Sequence, residues 1–217
     1  MSNEMSNELS TEMRTTHPVH LVRPQAPEDA ARADLYALLA RLFYAGPDVA
    51  VLAAITGADD LIANVDAPLS RAWRDFQAAS RSVDVPQAGD EYVSLFVGVG
   101  KSPISIYASH YLSENYKELT LVHLRDELER LGLARKAAAT EPEDHLAALL
   151  DVMQHLVRRS ENDVLTQSAF FNSYLKPWHE KFCSAIEAAP AAAYYAPVSR
   201  LMKNYFAIEV EVFEWGV

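Results

Sequence analysis

The chain has 217 residues, of which 50% are hydrophobic, and it carries a formal net charge of −11. This length and apolar content predict a globular protein with a well-buried core. The acidic balance argues against duplex nucleic acid as a partner, because such binding depends on lysine and arginine contacts to phosphates. It suits basic partners, including an arginine-bearing peptide, although ordinary acidic solubility also explains it.

Cysteine content and apolar run lengths predict the compartment. The single cysteine, Cys183, excludes an internal disulfide framework and a cysteine-based zinc or iron–sulfur site, and it agrees with a reducing cytoplasm. No stretch reaches the roughly 18 apolar residues that a membrane span needs, and residues 1–27 lack the apolar core of a secretory signal. We therefore expect a cytoplasmic protein without stable membrane insertion.

The N-terminal 27 residues predict a mobile polar tail. They open with MSNEMSNEL, a near-tandem polar repeat, and they lack the apolar surface that would offset ordering. Residues 28–217 predict one all-helical domain.

Apolar residues in this domain recur at spacings of three and four, which is the period of an amphipathic helix. The first such run ends at Gly46 and Pro47, two residues that commonly terminate helices. Alternating strand patterns are almost absent. The sequence therefore predicts an all-α bundle of about eight to ten helices with short connections. The further runs lie at about 48–56, 68–83, from 90, 113–132, 146–157, 170–175, 178–186 and 198–206.

The weakly patterned segment ARKAAAT, residues 134–140, predicts a hinge at about 134–141. It would join an N-terminal and a C-terminal helical half. Since hinges of this kind permit exchange of elements between copies, we expect a monomer or a domain-swapped homodimer.

The loop GVGKS, residues 98–102, ends like a phosphate-binding P-loop and follows an apolar run that could be a strand. A P-loop has the pattern G-x-x-x-x-G-K-[ST]. If Gly100 is its second glycine, the first glycine should stand at position 95, which is Leu95 here. Ser102 is followed at once by Pro103, and no parallel-sheet pattern is present. A glycine-rich loop between helices is the simpler interpretation.

Metal and nucleophile chemistry find little support in the sequence. The seven histidines form no H-E-x-x-H or equivalent pattern, and two of them, His17 and His20, fall in the predicted tail. No G-x-S-x-G elbow is present, and Cys183 lies at the edge of an apolar helix face, so we interpret it as a packed thiol. No cofactor, metal or catalytic residue is expected.

The segment EPEDH, residues 141–145, allows two interpretations. Pro142, Glu143 and Asp144 all suit the first turn of a helix, so a structural helix start explains them. His145 fits less well, because a protonated imidazole would oppose the helix dipole. If the helix begins at Pro142, Asp144 is exposed on the polar face and His145 is half-buried at the apolar border. Such a pair is also a reasonable contact surface for a basic peptide with apolar flanks.

Three stretches, in order along the chain, carry a resemblance to a known family. EPEDHLAALLDVM (141–153) is similar to an E-P-x-D-H signature followed by an amphipathic helix. The other two are YVSLFVGVGKSPISIYASHYL (92–112) and FFNSYLKPWHEKF (170–182). Together they resemble the TorD/DmsD-like cytoplasmic chaperones for molybdenum oxidoreductases. One departure is Val99, which follows Gly98 where the family often has proline, so the path of that loop stays open.

The resemblance implies a non-enzymatic, all-helical chaperone. Its partners would be the twin-arginine signal peptide and the apoprotein of a molybdopterin oxidoreductase, held until the cofactor is loaded. The family's functional pair would fall on Asp144 and His145, with Glu141 and Pro142 shaping the turn. The aromatic lining of a neighbouring groove would fall on Phe96, Tyr107 and Tyr111, with Ser109 between the last two. A nucleotide-binding switch or NTPase at residues 98–102 and a purely structural helical adaptor are the alternatives.

Overall fold

The computed structural model describes residues 26–59, 66–98, 102–112, 117–135, 140–159 and 164–215. Within these ranges the structure has ten α-helices, one π-helical turn and no β-strand, so the predicted all-α bundle is confirmed. The predicted tail lies outside them up to residue 25. The helices are α1 (Pro27–Tyr44), α2 (Val49–Gly57), α3 (Pro68–Ser82), α4 (Val85–Tyr92), α5 (Ser109–Leu112), α6 (Lys117–Arg130), α7 (Leu146–Arg158), α8 (Val164–Tyr174), α9 (His179–Ala188) and α10 (Tyr195–Trp215), and the π-helical turn (Val93–Val97) follows α4 directly.

The core joins helices from both predicted halves of the chain. The rings of Phe43 in α1, Phe96 in the π-helical turn, Phe182 in α9 and Tyr195 in α10 form one cluster, with centroids 5.1 to 6.0 Å apart. Burying one such side chain contributes about 1.5–3 kcal/mol to stability. Helix α1 also packs along α7, and α10 packs on α3 and α9. The predicted hinge stays a prediction, because its residues 136–139 lie outside the described ranges.

The C-terminal end of α1 is fixed by contacts with α4. The hydroxyl of Tyr92 donates hydrogen bonds to the main-chain oxygens of Phe43 and Tyr44, at 3.2 and 2.9 Å. Just beyond the helix, a Cβ built on Gly46 would stand 3.0 Å from the Cα of Gly89, so the two backbones touch where neither has a side chain. These contacts set the position of Tyr44 beside α7.

A buried ion pair ties the start of α1 to α10. Arg32 donates from Nε and Nη2 to the two carboxylate oxygens of Glu209, at 2.7 and 2.8 Å, and Glu209 is fully buried. The hydroxyl of Tyr36 donates to the same carboxylate at 2.9 Å. Burial lowers the pKa of Arg32, but the hydrogen bonds and charge of Glu209 outweigh it and raise the pKa above its ordinary value.

The apolar run before Gly98 is helical, which removes the strand that a P-loop needs. Helix α4 ends at Tyr92, and the next five residues form the π-helical turn. Gly98 ends the turn with a φ of 65°, a left-handed value that favours glycine, and its N–H donates to the main-chain oxygen of Val93 at 2.7 Å. Residues 99–101 lie outside the described ranges.

Candidate functional site

The EPEDH segment lies beside residues 106–109 and forms a turn rather than a helix, since the N–H of His145 donates to the main-chain oxygen of Pro142 at 3.2 Å. The N–H of Ala108 donates to the main-chain oxygen of Asp144 at 2.9 Å, and the N–H of Leu146 donates to that of Ile106 at 3.0 Å. Tyr107 and His145 form an isolated antiparallel bridge. Because these main-chain groups pair across the chain, they are not free to join a helix. The predicted helix start at Pro142 was therefore wrong, and α7 begins at Leu146.

Asp144 is buried, with 1% of its surface exposed. Its Oδ2 accepts a hydrogen bond from the main-chain N–H of Ser109 at 3.1 Å. The predicted exposure on the polar face of α7 was wrong, since that placement assumed helical geometry at this residue. Asp144 holds the EPEDH segment against the start of α5, and Ser109 contributes to this contact through its main chain.

His145 is the N-cap of α7. It is 3% exposed, and its Nδ1 accepts a hydrogen bond from the N–H of Ala147 at 3.1 Å. An accepting Nδ1 requires a neutral ring with its proton on Nε2. Burial lowers the pKa of the imidazole and thus favours the neutral form, while the charges of Glu141 and Asp144 act in the opposite direction. The expected conflict with the helix dipole is therefore absent, because a neutral acceptor satisfies a helix N–H as an ordinary cap does.

Two tyrosines flank the His145 ring. The Tyr107 ring meets it edge to face at a centroid distance of 5.3 Å, and the Tyr44 ring lies 6.3 Å away. The hydroxyl of Tyr107 donates to Oε2 of Glu141 at 2.5 Å. Burial, together with the hydrogen bond and charge of Glu141, raises the pKa of Tyr107 well above its ordinary value.

The two glutamates of the segment have different electrostatic surroundings. Glu143 forms ion pairs with Arg125 at 2.9 Å and Arg135 at 3.8 Å, and the hydrogen bond from Arg125 lowers the pKa of its carboxyl. Arg135 also donates a hydrogen bond to Glu141 at 3.3 Å, but to its main-chain oxygen and not to its carboxylate. In the described part of the chain, no cation pairs with the Glu141 carboxylate.

A pocket of about 560 Å³ opens beside this segment, between the end of α1, the end of α6 with the residues after it, and α7 as far as Arg158. Glu141 and His145 lie in its wall together with apolar groups. Its walls include the side chains of Tyr44, Leu133, Pro142 and Val152. A carboxylate beside aromatic and aliphatic walls can bind a cationic group that carries an apolar stem.

The structure brings together only some of the predicted site residues. Glu141, Pro142 and His145 line the pocket. Tyr107 contacts Glu141 and His145. Asp144 and Ser109 are not in the pocket lining, but their hydrogen bond holds the segment in place. Phe96 does not line a groove, since it is 5% exposed and belongs to the aromatic core. Tyr111 is half-buried, with its ring stacked on Trp178 at 5.0 Å.

Tyr44 lines the pocket, although the sequence analysis did not single it out. It ends the first amphipathic helix, where an aromatic residue reads as core, yet 53% of its surface is exposed. A large aromatic residue just outside the apolar stripe and before Gly46 was the available signal.

Other sites of chemistry are sparse. No group of three or more histidine, cysteine, aspartate or glutamate side chains that could hold a metal ion occurs among the described residues. None of the described helices is long and apolar enough to cross a membrane. Cys183 is fully buried, as predicted for a packed thiol, and burial raises its pKa to about 12.

The nitrate reductase delta subunit family model matches residues 62–184, which is more than half of the chain. This chain belongs to that family. The TorD-like resemblance of the three motifs is thereby confirmed. The TorD chaperone of Aliivibrio salmonicida is 25% identical over 132 residues, covering 56% of this chain and 61% of that protein. The TorD chaperone of a Shewanella species is 32% identical over 100 residues, covering 44% and 47%.

The matched region thus spans less than two thirds of the length of each of these two TorD chaperones. A solved structure described as a putative redox enzyme maturation protein from Archaeoglobus fulgidus has the same fold. It superposes with a TM-score of 0.53 at 18% identity, covering 85% of this chain and 98% of that one.

Proposed function

We propose that this protein is a cytoplasmic, non-enzymatic chaperone. It binds the twin-arginine signal peptide and the apo form of a molybdopterin-dependent oxidoreductase, assists cofactor insertion and prevents premature export. The observation that carries the proposal is the pocket on the EPEDH segment, in a member of the delta subunit family. Its wall holds apolar groups and the Glu141 carboxylate, which pairs with no cation among the described residues. Relatives named as TorD chaperones and a fold shared with a redox enzyme maturation protein support it.

The chemistry of the pocket suits such a peptide. A twin-arginine signal peptide carries guanidinium groups next to an apolar segment, so it needs a carboxylate and an apolar surface side by side. Glu141 and the walls around Pro142 and Val152 supply both. The Nε2–H of His145 adds a donor for a peptide carbonyl, because the Nδ1 of the same ring already accepts from Ala147.

Calorimetric titration with a synthetic peptide of two consecutive arginines and an apolar segment tests this proposal. The sequence should come from a molybdopterin oxidoreductase encoded near this gene. We expect binding that weakens as salt rises, since part of the affinity is electrostatic. A matched peptide with both arginines replaced by glutamine should bind at least tenfold less tightly. Equal affinity for both peptides, or none for either, contradicts the proposal.

Recovery of the full-length oxidoreductase provides the second measurement. A tagged chain should capture the apoprotein with its signal peptide and fail to capture the same apoprotein without it. The nucleotide-switch alternative has no observation in its favour, because the run before Gly98 is helical.

A further inference from the structure

Tyr44 is placed as a platform in the pocket. It closes α1, its main-chain oxygen is held by the Tyr92 hydroxyl at 2.9 Å, and 53% of its surface is exposed. Its ring lies 6.3 Å from the His145 ring, which is itself fixed as the cap of α7. An anchored main chain with an exposed ring gives a ligand an aromatic face at little entropic cost.

Glu141 is oriented by one partner and left open to a second. Its Oε2 accepts the hydroxyl of Tyr107 at 2.5 Å, which restricts the rotamer of the carboxylate. A carboxylate accepts about four hydrogen bonds, so capacity remains for further donors. Glu143 lacks this capacity for an external cation, because Arg125 and Arg135 already neutralise it.

We propose that Tyr44 and Glu141 form a guanidinium subsite, in which the Tyr44 ring takes the flat face of a client arginine and Glu141 accepts its N–H groups. This inference rests on the proposed function and adds the residues that select arginine. A guanidinium group is planar, stacks on aromatic rings and donates two parallel hydrogen bonds to a carboxylate. Lysine has a compact ammonium group that does neither as well. The subsite therefore discriminates arginine from lysine.

The test combines changes in the protein with changes in the peptide. The parent, Tyr44→Ala, Tyr44→Phe and Glu141→Gln are titrated with the twin-arginine peptide and with its two single arginine-to-lysine versions. Tyr44→Ala should weaken the arginine peptide about threefold to thirtyfold through the lost cation–π contact, and Tyr44→Phe should keep most of the affinity. Glu141→Gln should weaken it about tenfold to a hundredfold through the lost charge-assisted hydrogen bond.

The decisive quantity is the arginine-to-lysine ratio. For at least one of the two peptide positions, the parent should prefer arginine about tenfold or more, and in Tyr44→Ala this preference should fall below threefold. Glu129→Gln is the charge-matched control, since Glu129 is exposed on α6 away from the pocket lining, and it should stay within twofold of the parent. Circular dichroism and thermal unfolding establish that each variant is folded.

Two failures are distinguishable. If the parent binds the peptide while Tyr44→Ala and Glu141→Gln stay within twofold, or keep the full arginine preference, the subsite assignment is wrong and the chaperone proposal stands. If the parent binds no twin-arginine peptide, the proposed function itself is overturned, and the subsite with it.

Discussion

In the described ranges, a glutamate accepts a hydrogen bond from a tyrosine hydroxyl in two places, and one of these carboxylates is also paired with an arginine. At the first, Tyr36 donates to Glu209, Arg32 closes the carboxylate with two hydrogen bonds, and the Phe213 ring lies 5.7 Å from the guanidinium carbon. At the second, Tyr107 donates to Glu141 and the Tyr44 ring stands exposed in the same pocket.

The difference between the two places teaches what the second can accept. The first place shows that this fold stabilises a guanidinium with a carboxylate, a tyrosine hydroxyl and an aromatic ring. The second presents the same three kinds of group at an open pocket, where the lining residues Arg135 and Arg158 pair with Glu143 and Asp34 and not with the Glu141 carboxylate. In the proposed guanidinium subsite, an arginine from another chain would supply the missing cation.

The largest expected effect is a loss of stability on removing Arg32 from its ion pair with Glu209. Arg32→Met leaves the fully buried Glu209 without its cation, and breaking such a pair by removing one partner costs about 3–5 kcal/mol. Urea unfolding followed by circular dichroism measures this loss. Glu141→Gln should cost less than about 1 kcal/mol, because the carboxylate is only partly buried and its hydrogen bond to Tyr107 survives.

The double variant Arg32→Met with Glu209→Leu is the control for that comparison. It should regain part of the lost stability, since no uncompensated charge remains, while the buried Tyr36 hydroxyl loses its acceptor. A loss below 1 kcal/mol for Arg32→Met alone would mean that water or a rearrangement satisfies Glu209, and the two places would then be less different than described.

The next largest effect is expected at Asp144, which supports the segment that carries Glu141. Asp144→Ala removes the buried acceptor of the Ser109 N–H and should cost about 1–3 kcal/mol of unfolding free energy. Asp144→Asn keeps an acceptor oxygen and should lose less. Amide hydrogen exchange at Ser109 checks the cause, because it should accelerate in Asp144→Ala. Unchanged exchange would show that Asp144 does not hold this segment.

A pH dependence should isolate the cap of α7. The pKa of His145 is lowered in the folded protein, so the neutral ring contributes stability above the unfolded-state pKa of about 6.5. That contribution is lost as the pH falls from about 6.5 through the folded-state pKa. An N-cap is worth about 0.5–2 kcal/mol. Between pH 7.5 and 5, the free energy of unfolding should therefore decline less in His145→Asn than in the parent, because asparagine can cap the helix but does not titrate.

His179 provides the internal check on that measurement. Burial also lowers the pKa of His179, which contributes in the same direction, so the parent declines for two reasons and His145→Asn should keep one of them. Identical pH profiles for the parent and His145→Asn would show that the ring of His145 does not act as a neutral cap.

The smallest effect is expected at the former P-loop candidate. Lys101→Ala should leave the affinity for the twin-arginine peptide within a few-fold of the parent, since the chaperone proposal gives this residue no role. Titration calorimetry with the peptide and with magnesium–ATP measures both outcomes. A tight nucleotide affinity that disappears in Lys101→Ala would favour the enzyme alternative over the chaperone.

Local sequence patterns predicted the helices well, because helical hydrogen bonds join residues four apart and apolar stripes record which face is buried. They failed at residues 142–145, where part of the hydrogen bonding runs to residues 106–109, because such long-range bonds leave no pattern in the local sequence. The resemblance placed Glu141 and His145 at the site. The burial of Asp144 and the exposure of Tyr44 depend on how α1, α7 and the loop before α5 pack, which a single sequence does not encode at those positions.

Because Gly46 and Gly89 are in contact, a single added methyl group at Gly46 would change the position of Tyr44 at the end of α1. A Cβ at Gly46 would lie 3.0 Å from the Cα of Gly89, so alanine there must push α4 away from the end of α1 by a few tenths of an ångström. Tyr92 and its hydrogen bonds to the end of α1 would move with α4. Gly46→Ala would therefore change the position of the Tyr44 ring, and with it the proposed guanidinium subsite, although every residue of the pocket is unchanged.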